Sequence, residues 1–254
     1  RHVVAELMAR GETVRALTRD PARAAQVLPS GVELVAGTHT RPADLDAALK
    51  DVDRLHVTAT AGTAQAGPEL VRRAVEAGVG RVTVVWGGWV GPAEQAVAES
   101  GVEWTRLEPQ EFMSNTLTWA DSIEAEGVVR EPFDLPSALV HEGDIGAVAA
   151  IALLEEGHAG HAYSLTGPAA LTTSERVAAL SRAIGARSSW CRSPTSRPSS
   201  GWCPPEPAAP TPSSSSAGTA TRRRRPRHRW TPSRRCWAAR RGASPTGWIS
   251  TRAA

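Results

Sequence analysis

A few residue types in this chain could do chemistry if their spacing allowed it. A tyrosine acid backed by a lysine needs the pair at Y-x-x-x-K spacing, so that the ammonium lowers the phenol pKa. Tyr163 and Lys50 are the only residues of their types and stand 113 positions apart, which excludes that pair. His158 and His161 lie three apart without a cysteine or carboxylate pattern, so two solvated loop histidines are a simpler reading than a metal site. His141, Glu142 and Asp144 crowd one helix start, where Asp144 reads as the cap and His141 as a candidate acid or base. Ser114 and Ser122 have no neighbouring His–Asp partners, so a hydrolase is not supported. The cysteines, Cys191, Cys203 and Cys236, have spacings that fit no zinc pattern.

The elements that must position such residues are legible over residues 1–187. Val3, Val4, Leu7 and Met8 recur at helical spacing over His2 to Arg10, and Gly11 ends that helix. Strands are predicted at Thr13 to Thr18, Val32 to Ala36, Arg54 to Thr58, Arg81 to Trp86 and Glu103 to Leu107. Helices alternate with them: Asp20-Pro21 opens one through Val27, Thr40 caps one through Lys50, Gly67-Pro68 opens a third, and Pro92 to Ser100 forms a fourth. That alternation predicts βαβ units, a parallel sheet and an α/β, Rossmann-like, doubly wound fold. Ligands of such folds sit outside the carboxyl ends of the strands. Past residue 110 the pattern loosens. Asp144 is expected to cap a helix from Ile145 to Leu154, Tyr163 to Thr166 to form a short strand, and Thr172 with Glu175 to make a capping box. The expected division is a dinucleotide-binding type of core at 1–110, a small lobe at 111–187 and a tail at 188–254.

Charge separates that tail from the body. Residues 188–254 hold 13 arginines and one acid, whereas residues 1–187 carry a net −9, so the overall +3 comes from the tail alone. The tail has Ile249 as its only aliphatic residue above alanine and cannot bury enough surface to offset chain entropy. Two origins fit it. One is a genuine basic tail, whose run Arg222 to Arg225 with Arg227 and Arg229 would touch nucleic acid. The other is a GC-rich gene read in a shifted frame, which yields Arg, Pro, Ser, Ala, Gly, Trp and Cys. Back-translating Arg235 to Trp248 in another frame permits V-L-G-R-P-A-R-S-F-A-D-W. At the front, the sequence opens inside its first helix, with no G-x-G-x-x-G or G-x-x-G-x-x-G and no initiator Met. A leading strand and Gly-rich turn, about a dozen residues, are therefore expected to be absent, with weak pyrophosphate binding as the consequence. No apolar run reaches a membrane-spanning length and no signal segment opens the chain.

The string from Arg1 to Pro21 (RHVVAELMARGETVRALTRDP) resembles the first helix and second strand of the NmrA-like family, atypical short-chain dehydrogenase/reductase relatives. Gly101 to Asn115, Ala125 to Pro132 with Val140 to Ile145, and Tyr163 to Thr173 are similar to further stretches of that family, and the frame-shifted ending is similar to its C-terminus. The resemblance implies a cytoplasmic NAD(P)H-dependent reductase of a small-molecule acceptor, quinone or azo in type, with look-alikes named azoreductase or quinone-reductase-like. A non-catalytic NADP-sensing regulator is the second reading.

Residue by residue, the resemblance places Arg19 at the 2′-phosphate, which favours NADP(H) over NAD(H). Gly37 and Thr38 fall near the adenine, with Thr38 where the family often has Asp. Thr60, Ala61 and Gly62 follow the fourth strand, where small residues admit the cofactor backbone. Trp86 stands where many relatives carry Ser or Thr facing the nicotinamide, and Trp89 is a candidate stacking residue for a flat substrate. Pro109 and Phe112 flank the nicotinamide ring, and Asn115 lines the substrate pocket. No catalytic residue is assigned.

Overall fold

The computed structural model describes residues 1–58, 62–85, 90–193 and 249–253. Thr60, Ala61, Trp86, Trp89, Cys203, Cys236 and the arginine run at 222–229 lie outside them.

Two central βαβ steps build the fold. β3 (Arg54–Thr58), β4 (Arg81–Val85) and β5 (Glu103–Pro109) are parallel neighbours, joined by α4 (Thr63–Glu76) and α5 (Pro92–Glu99). β7 (His161–Leu165) adds in parallel beside β5, and β9 (Ile249–Ala253) pairs antiparallel with β7. The order is β3-β4-β5-β7-β9. Alternation along β4 sends Val82 and Val84 to one face, where they pack with Leu45, Leu49, Leu70 and Val97. Val85 faces the other way and packs with Leu107, Ile145, Ala149 and Tyr163. Helices α3 (Pro42–Leu49), α4 and α5 thus cover one face, while α1 (His2–Ala9) and α7 (Glu142–Leu154) cover the other. This is the doubly wound α/β architecture that the strand–helix alternation predicts.

β1 (Arg15–Thr18) pairs only with β2 (Glu33–Ala36) among the described residues. β1 and β3 do not bond to each other, and a cleft separates them.

Local signals hold in part. Asp20 accepts from the Arg23 N–H at 3.0 Å and caps α2 (Pro21–Val27), and Thr172 with Glu175 closes the capping box of α8 (Thr173–Ile184). Three expectations are corrected. The N-cap of α3 is Arg41, without a side-chain cap; Thr40 Oγ1 instead meets Thr38 Oγ1 at 3.0 Å. Helix α4 begins at Thr63, not at Gly67-Pro68, because Gly62 takes the left-handed conformation at φ 91° and turns the chain into the helix. Gly67 serves close helix packing: a Cβ there would stand 2.2 Å from the Ala93 Cβ of α5. The cap of α7 is His141, whose Nδ1 accepts from the Gly143 N–H at 3.0 Å, while Asp144 sits inside the first turn. A ring nitrogen with a free lone pair does here what a carboxylate oxygen does elsewhere.

Beyond β5, apart from α7 and α8, the elements are short. A 3-10 helix (Met113–Trp119), α6 (Ala120–Glu126), β6 (Val128–Glu131) and β8 (Ser189–Arg192) surround a cluster of Trp119, Val129 and Val177. β8 pairs in parallel with β6, beyond the expected body-tail boundary at 187. Trp119 Nε1 donates to Glu131 at 2.7 Å, and the Arg176 guanidinium lies over the Trp119 ring while bridging Glu111 at 3.0 Å.

Helices α1 and α7 run side by side with their N-termini at the same end. The His2 and His141 rings meet edge to face at 5.7 Å at one end, and Arg10 pairs with Glu155 at 3.8 Å at the other. Gly146 allows the approach, since a Cβ there would lie 2.8 Å from the His2 carbonyl carbon and 3.0 Å from the Val3 nitrogen. Gly146→Ala is expected to push α1 outward and cost about 1–3 kcal/mol. Urea unfolding midpoints of the two proteins check this; an unchanged midpoint contradicts it.

Candidate functional site

The carboxyl ends of β1, β2 and β3 converge on a cleft of about 1290 Å3. Helices α1, α4 and α7 all begin at this edge, α4 directly after β3 and the other two beside the Phe112–Val140 bridge that follows β5. Helix N-termini present unpaired N–H groups and the positive end of the helix dipole, a setting for an anion.

Arg19 follows the last residue of β1, lines the cleft and is exposed. The turn beneath it is held by Thr18 Oγ1, which accepts from the Asp20 N–H at 3.2 Å. The guanidinium forms no ion pair among the described residues, so it can take an anion without breaking a partner.

After β2 the chain turns through Gly37, Thr38 and His39, and all three line the cleft. The Gly37 N–H donates to the Thr18 carbonyl at 2.8 Å, which continues the ladder past the strand end. A Cβ at Gly37 would stand 2.7 Å from the Asp44 Cβ, so this turn requires glycine. Asp44, in the first turn of α3, accepts from the Thr38 N–H at 2.9 Å and meets Arg41 at 3.5 Å. His39 is half-buried, and its Nε2 is shielded from water without a hydrogen-bond partner among the described residues. A Cβ at Gly62 would come within 3.6 Å of that nitrogen, so the two turns after β2 and β3 face each other. A buried ring nitrogen without a partner, beside two glycine turns, fits a polar ligand that approaches the backbone closely.

On the opposite wall Phe112 lines the cleft, and Glu142 accepts from the Ser114 N–H at 2.9 Å, tying the 3-10 helix to α7. Burial opposes ionisation of Glu142, but the hydrogen bonds from Ser114 outweigh it and hold the carboxyl below its usual range. Deeper in the cleft, His56 on β3 joins Thr83 Oγ1 at 2.9 Å through Nδ1 and Thr58 Oγ1 at 3.3 Å through Nε2. Burial first, and then the charge of the chain's amino group, push the His56 pKa down to about 4.

The structure therefore brings Arg19, Gly37, Thr38, Gly62 and Phe112 to one edge. Pro109 ends β5 in register with Leu165, half-buried, and does not line the cleft. Asn115 is exposed on the 3-10 helix and does not line it either. His39, Asp44 and Glu142 are the residues that sequence reasoning did not single out for binding. The lone signal for the first two was their place just after a strand end and just inside the next helix.

The remaining candidates lie elsewhere. Tyr163 is buried, with its hydroxyl 2.7 Å from His158 Nδ1, and Lys50 is the exposed C-cap of α3, so the two do not meet. Burial raises the Tyr163 pKa and lowers that of His158. Among the described residues, no group of three or more His, Cys, Asp or Glu side chains is arranged to hold a metal. No helix among them is long and apolar enough to cross a membrane.

Residues 1–91 match a family model described as NAD(P)H-binding. A (4-alkanoyl-5-oxo-2,5-dihydrofuran-3-yl)methyl phosphate reductase of Streptomyces griseus subsp. griseus is 39% identical over 196 residues, 72% of this chain and 69% of that protein. The chain belongs to the NAD(P)H-binding, NmrA-like family. Another relative of this NmrA-like chain, the NAD(P)H azoreductase of Xenophilus azovorans, is 36% identical across 67% of this chain and 65% of its own length. The chain spans about two thirds of the length of these curated relatives, 69% and 65%. Its fold is similar to that of the Citrobacter sp. triphenylmethane reductase complexed with NADP(H), at TM-score 0.64 and 20% identity over 75% of this chain and 74% of that one. The Escherichia coli NADPH-dependent quinone oxidoreductase complexed with NADPH is likewise similar, at TM-score 0.64 and 23% identity over 75% and 73%.

Proposed function

We propose that this NmrA-like protein is a cytoplasmic NAD(P)H-dependent reductase of a small, flat acceptor of the quinone or azo type, with a preference for NADP(H). The carrying observation is the cleft itself: three helix N-termini meet at the carboxyl ends of parallel strands with Arg19 and His39 Nε2, which have no ion-pair or hydrogen-bond partner among the described residues.

Each residue has a task in this reading. Arg19 binds the 2′-phosphate through its fork of N–H groups. Gly37 and Thr38 lie beside the adenine, and His39 hydrogen-bonds the adenosine portion. Gly62, with Thr60 and Ala61, lets the cofactor backbone approach α4, and the N-termini of α1 and α4 face its phosphates. Phe112 bounds the nicotinamide side, and the acceptor lies beside it toward the 111–187 lobe. The reduced nicotinamide supplies a hydride when bound. The chain contributes orientation and exclusion of water, and the acceptor takes its proton from solvent, since the Tyr163 hydroxyl is held by His158.

Support comes from the names of the relatives, an azoreductase at 36% identity and a furanyl phosphate reductase at 39%. Oxidation of NADPH by the purified chain, followed by absorbance across a quinone and azo-dye panel, tests the reading. Acceptor-dependent oxidation supports it; cofactor binding without turnover on any acceptor overturns it in favour of a sensor. His39→Ala is expected to weaken NADPH binding about 3- to 10-fold, the worth of one hydrogen bond. Fluorescence titration checks that value.

A further inference from the structure

Among the described residues between positions 111 and 141, Phe112 alone lines the cleft. Its backbone is extended, at φ −74° and ψ 133°, and bridges Val140 in parallel. Its ring packs against the cluster of Leu107, Val140 and Ile145. Main-chain bonds run on both flanks of this segment. The Gln110 N–H donates to the Leu165 carbonyl at 2.9 Å, the Val140 N–H to the Glu111 carbonyl at 2.9 Å, and the Met113 N–H to the Val140 carbonyl at 3.0 Å. Successive side chains of extended backbone point to opposite sides. Glu111, one residue before Phe112, therefore reaches away from the cleft, and its Oε1 meets Arg176 Nη1 of α8 at 3.0 Å.

Arg176 is itself held from several directions. Its Nε donates to the Thr172 carbonyl at 3.4 Å and its Nη2 to Thr173 Oγ1 at 3.5 Å. The guanidinium lies 5.7 Å from the centroid of the buried Trp119 ring, and that ring is fixed by its bond to Glu131 at 2.7 Å. The Arg176 and Glu111 side chains are only 11% and 27% exposed, so water replaces either partner poorly. The start of α8 has a second anchor that does not touch Glu111. Asp134 accepts from the Ser174 N–H at 2.7 Å and from the Ser174 hydroxyl at 2.8 Å.

We infer that Arg176, acting through Glu111, is a positioning residue that holds the Phe112 ring in place beside the nicotinamide, an inference that rests on the reductase reading above. Without the guanidinium, a half-buried carboxylate loses its partner and turns to water, and the backbone of Phe112 turns with it. The ring then no longer keeps nicotinamide and acceptor in register, and a misplacement of about 1 Å costs up to ~100-fold in rate. Cofactor affinity is set elsewhere, by Arg19 and the turns after β2 and β3. The loss therefore falls on turnover and not on binding.

The test is a single turnover of the full chain. Protein in excess over NADPH is mixed with a saturating concentration of the best acceptor from the quinone and azo-dye panel, and NADPH absorbance is followed by stopped flow. The rate constant reads the geometry of folded molecules, whereas a loss of folded protein lowers the amplitude alone. Arg176→Gln is expected to lower the rate constant about 10-fold and Glu111→Gln about 3- to 10-fold, with the NADPH dissociation constant unchanged within about twofold. Arg176→Lys can still meet Glu111 with one N–H and should stay within about threefold of the unmutated protein. Asp134→Asn loosens the same helix start and should lower the urea midpoint without changing the rate constant.

Rate constants in the two glutamine variants equal to that of the unmutated protein overturn the inference. So does a lysine variant as slow as Arg176→Gln, or an Asp134→Asn variant as slow, since the effect then belongs to α8 as a whole. If Arg176→Gln does not fold, Glu111→Gln, which keeps the side-chain shape, decides alone. Should the unmutated protein oxidise NADPH with no acceptor, the reductase reading falls and this inference with it. Turnover by the unmutated protein at a rate the variants share removes this inference alone.

Discussion

Arg19→Glu is expected to weaken binding of NADPH, and of its fragment 2′,5′-ADP, on the order of 100-fold, about 2.7 kcal/mol. Binding of NADH and of 5′-AMP is expected to change by less than about threefold. The argument rests on position and on freedom. Arg19 follows the last residue of β1, at the carboxyl edge of the parallel strands, on a turn held by Thr18 and Asp20. Its guanidinium is exposed and forms no ion pair among the described residues, so removing it leaves no buried charge behind. Arginine matches a phosphate with two parallel hydrogen bonds, and a carboxylate in its place repels the same dianion. Calorimetry with 2′,5′-ADP isolates this effect, because that fragment does not depend on the pyrophosphate contacts. An equal loss for 5′-AMP would assign Arg19 a structural role instead.

Below neutral pH the protein is expected to lose about 2–3 kcal/mol of stability through His56 alone. Its folded pKa lies near 4, below the 6.5 of an unperturbed imidazole, because burial first and the nearby amino group second disfavour the charged ring. The unfolded chain therefore binds the proton more readily. Stability is fully present above pH 6.5 and falls as the pH drops from 6.5 toward 4, where the folded ring also charges. His56→Gln keeps a polar partner for Thr83, which bonds His56 at 2.9 Å, but cannot titrate. Urea unfolding of both proteins at steps between pH 7.5 and 4 reads the difference directly. Parallel pH profiles would contradict the prediction.

Much of the frame was legible because it follows from local rules. The apolar stripe of α1, the Asp20-Pro21 start of α2 and the Thr172–Glu175 box each rest on residues within one or two turns. The strand β4 was legible from its β-branched run, Val82 to Val85. What escaped depends on contacts between distant segments. Gly67 reads as a helix start, yet it lies in mid-helix because α5 brings Ala93 against it. Asp144 reads as a cap, yet His141 holds the Gly143 N–H. The 3-10 helix, α6 and β6 are four to seven residues long and bury too few side chains to show a period.

The candidate site shows the same split. Arg19, Gly37 and Thr38 were found from their place at strand ends, the general location of ligands in doubly wound sheets. His39 was missed because its distinction is an unpartnered nitrogen, created only when the turns after β2 and β3 face each other. Asp44 was missed because its carboxylate serves the turn before its own helix. Asn115 matched a family position, yet its side chain is exposed and away from the cleft.

The most direct measurement is a titration of the purified chain with NADPH by cofactor fluorescence, with 2′,5′-ADP as competitor and acceptor-dependent oxidation followed in the same samples. The expected result is saturable binding displaced by 2′,5′-ADP, weakened by Arg19→Glu, together with oxidation that requires a quinone or azo acceptor. Absence of saturable binding, or binding that neither 2′,5′-ADP nor Arg19→Glu disturbs, would contradict the assignment of this cleft.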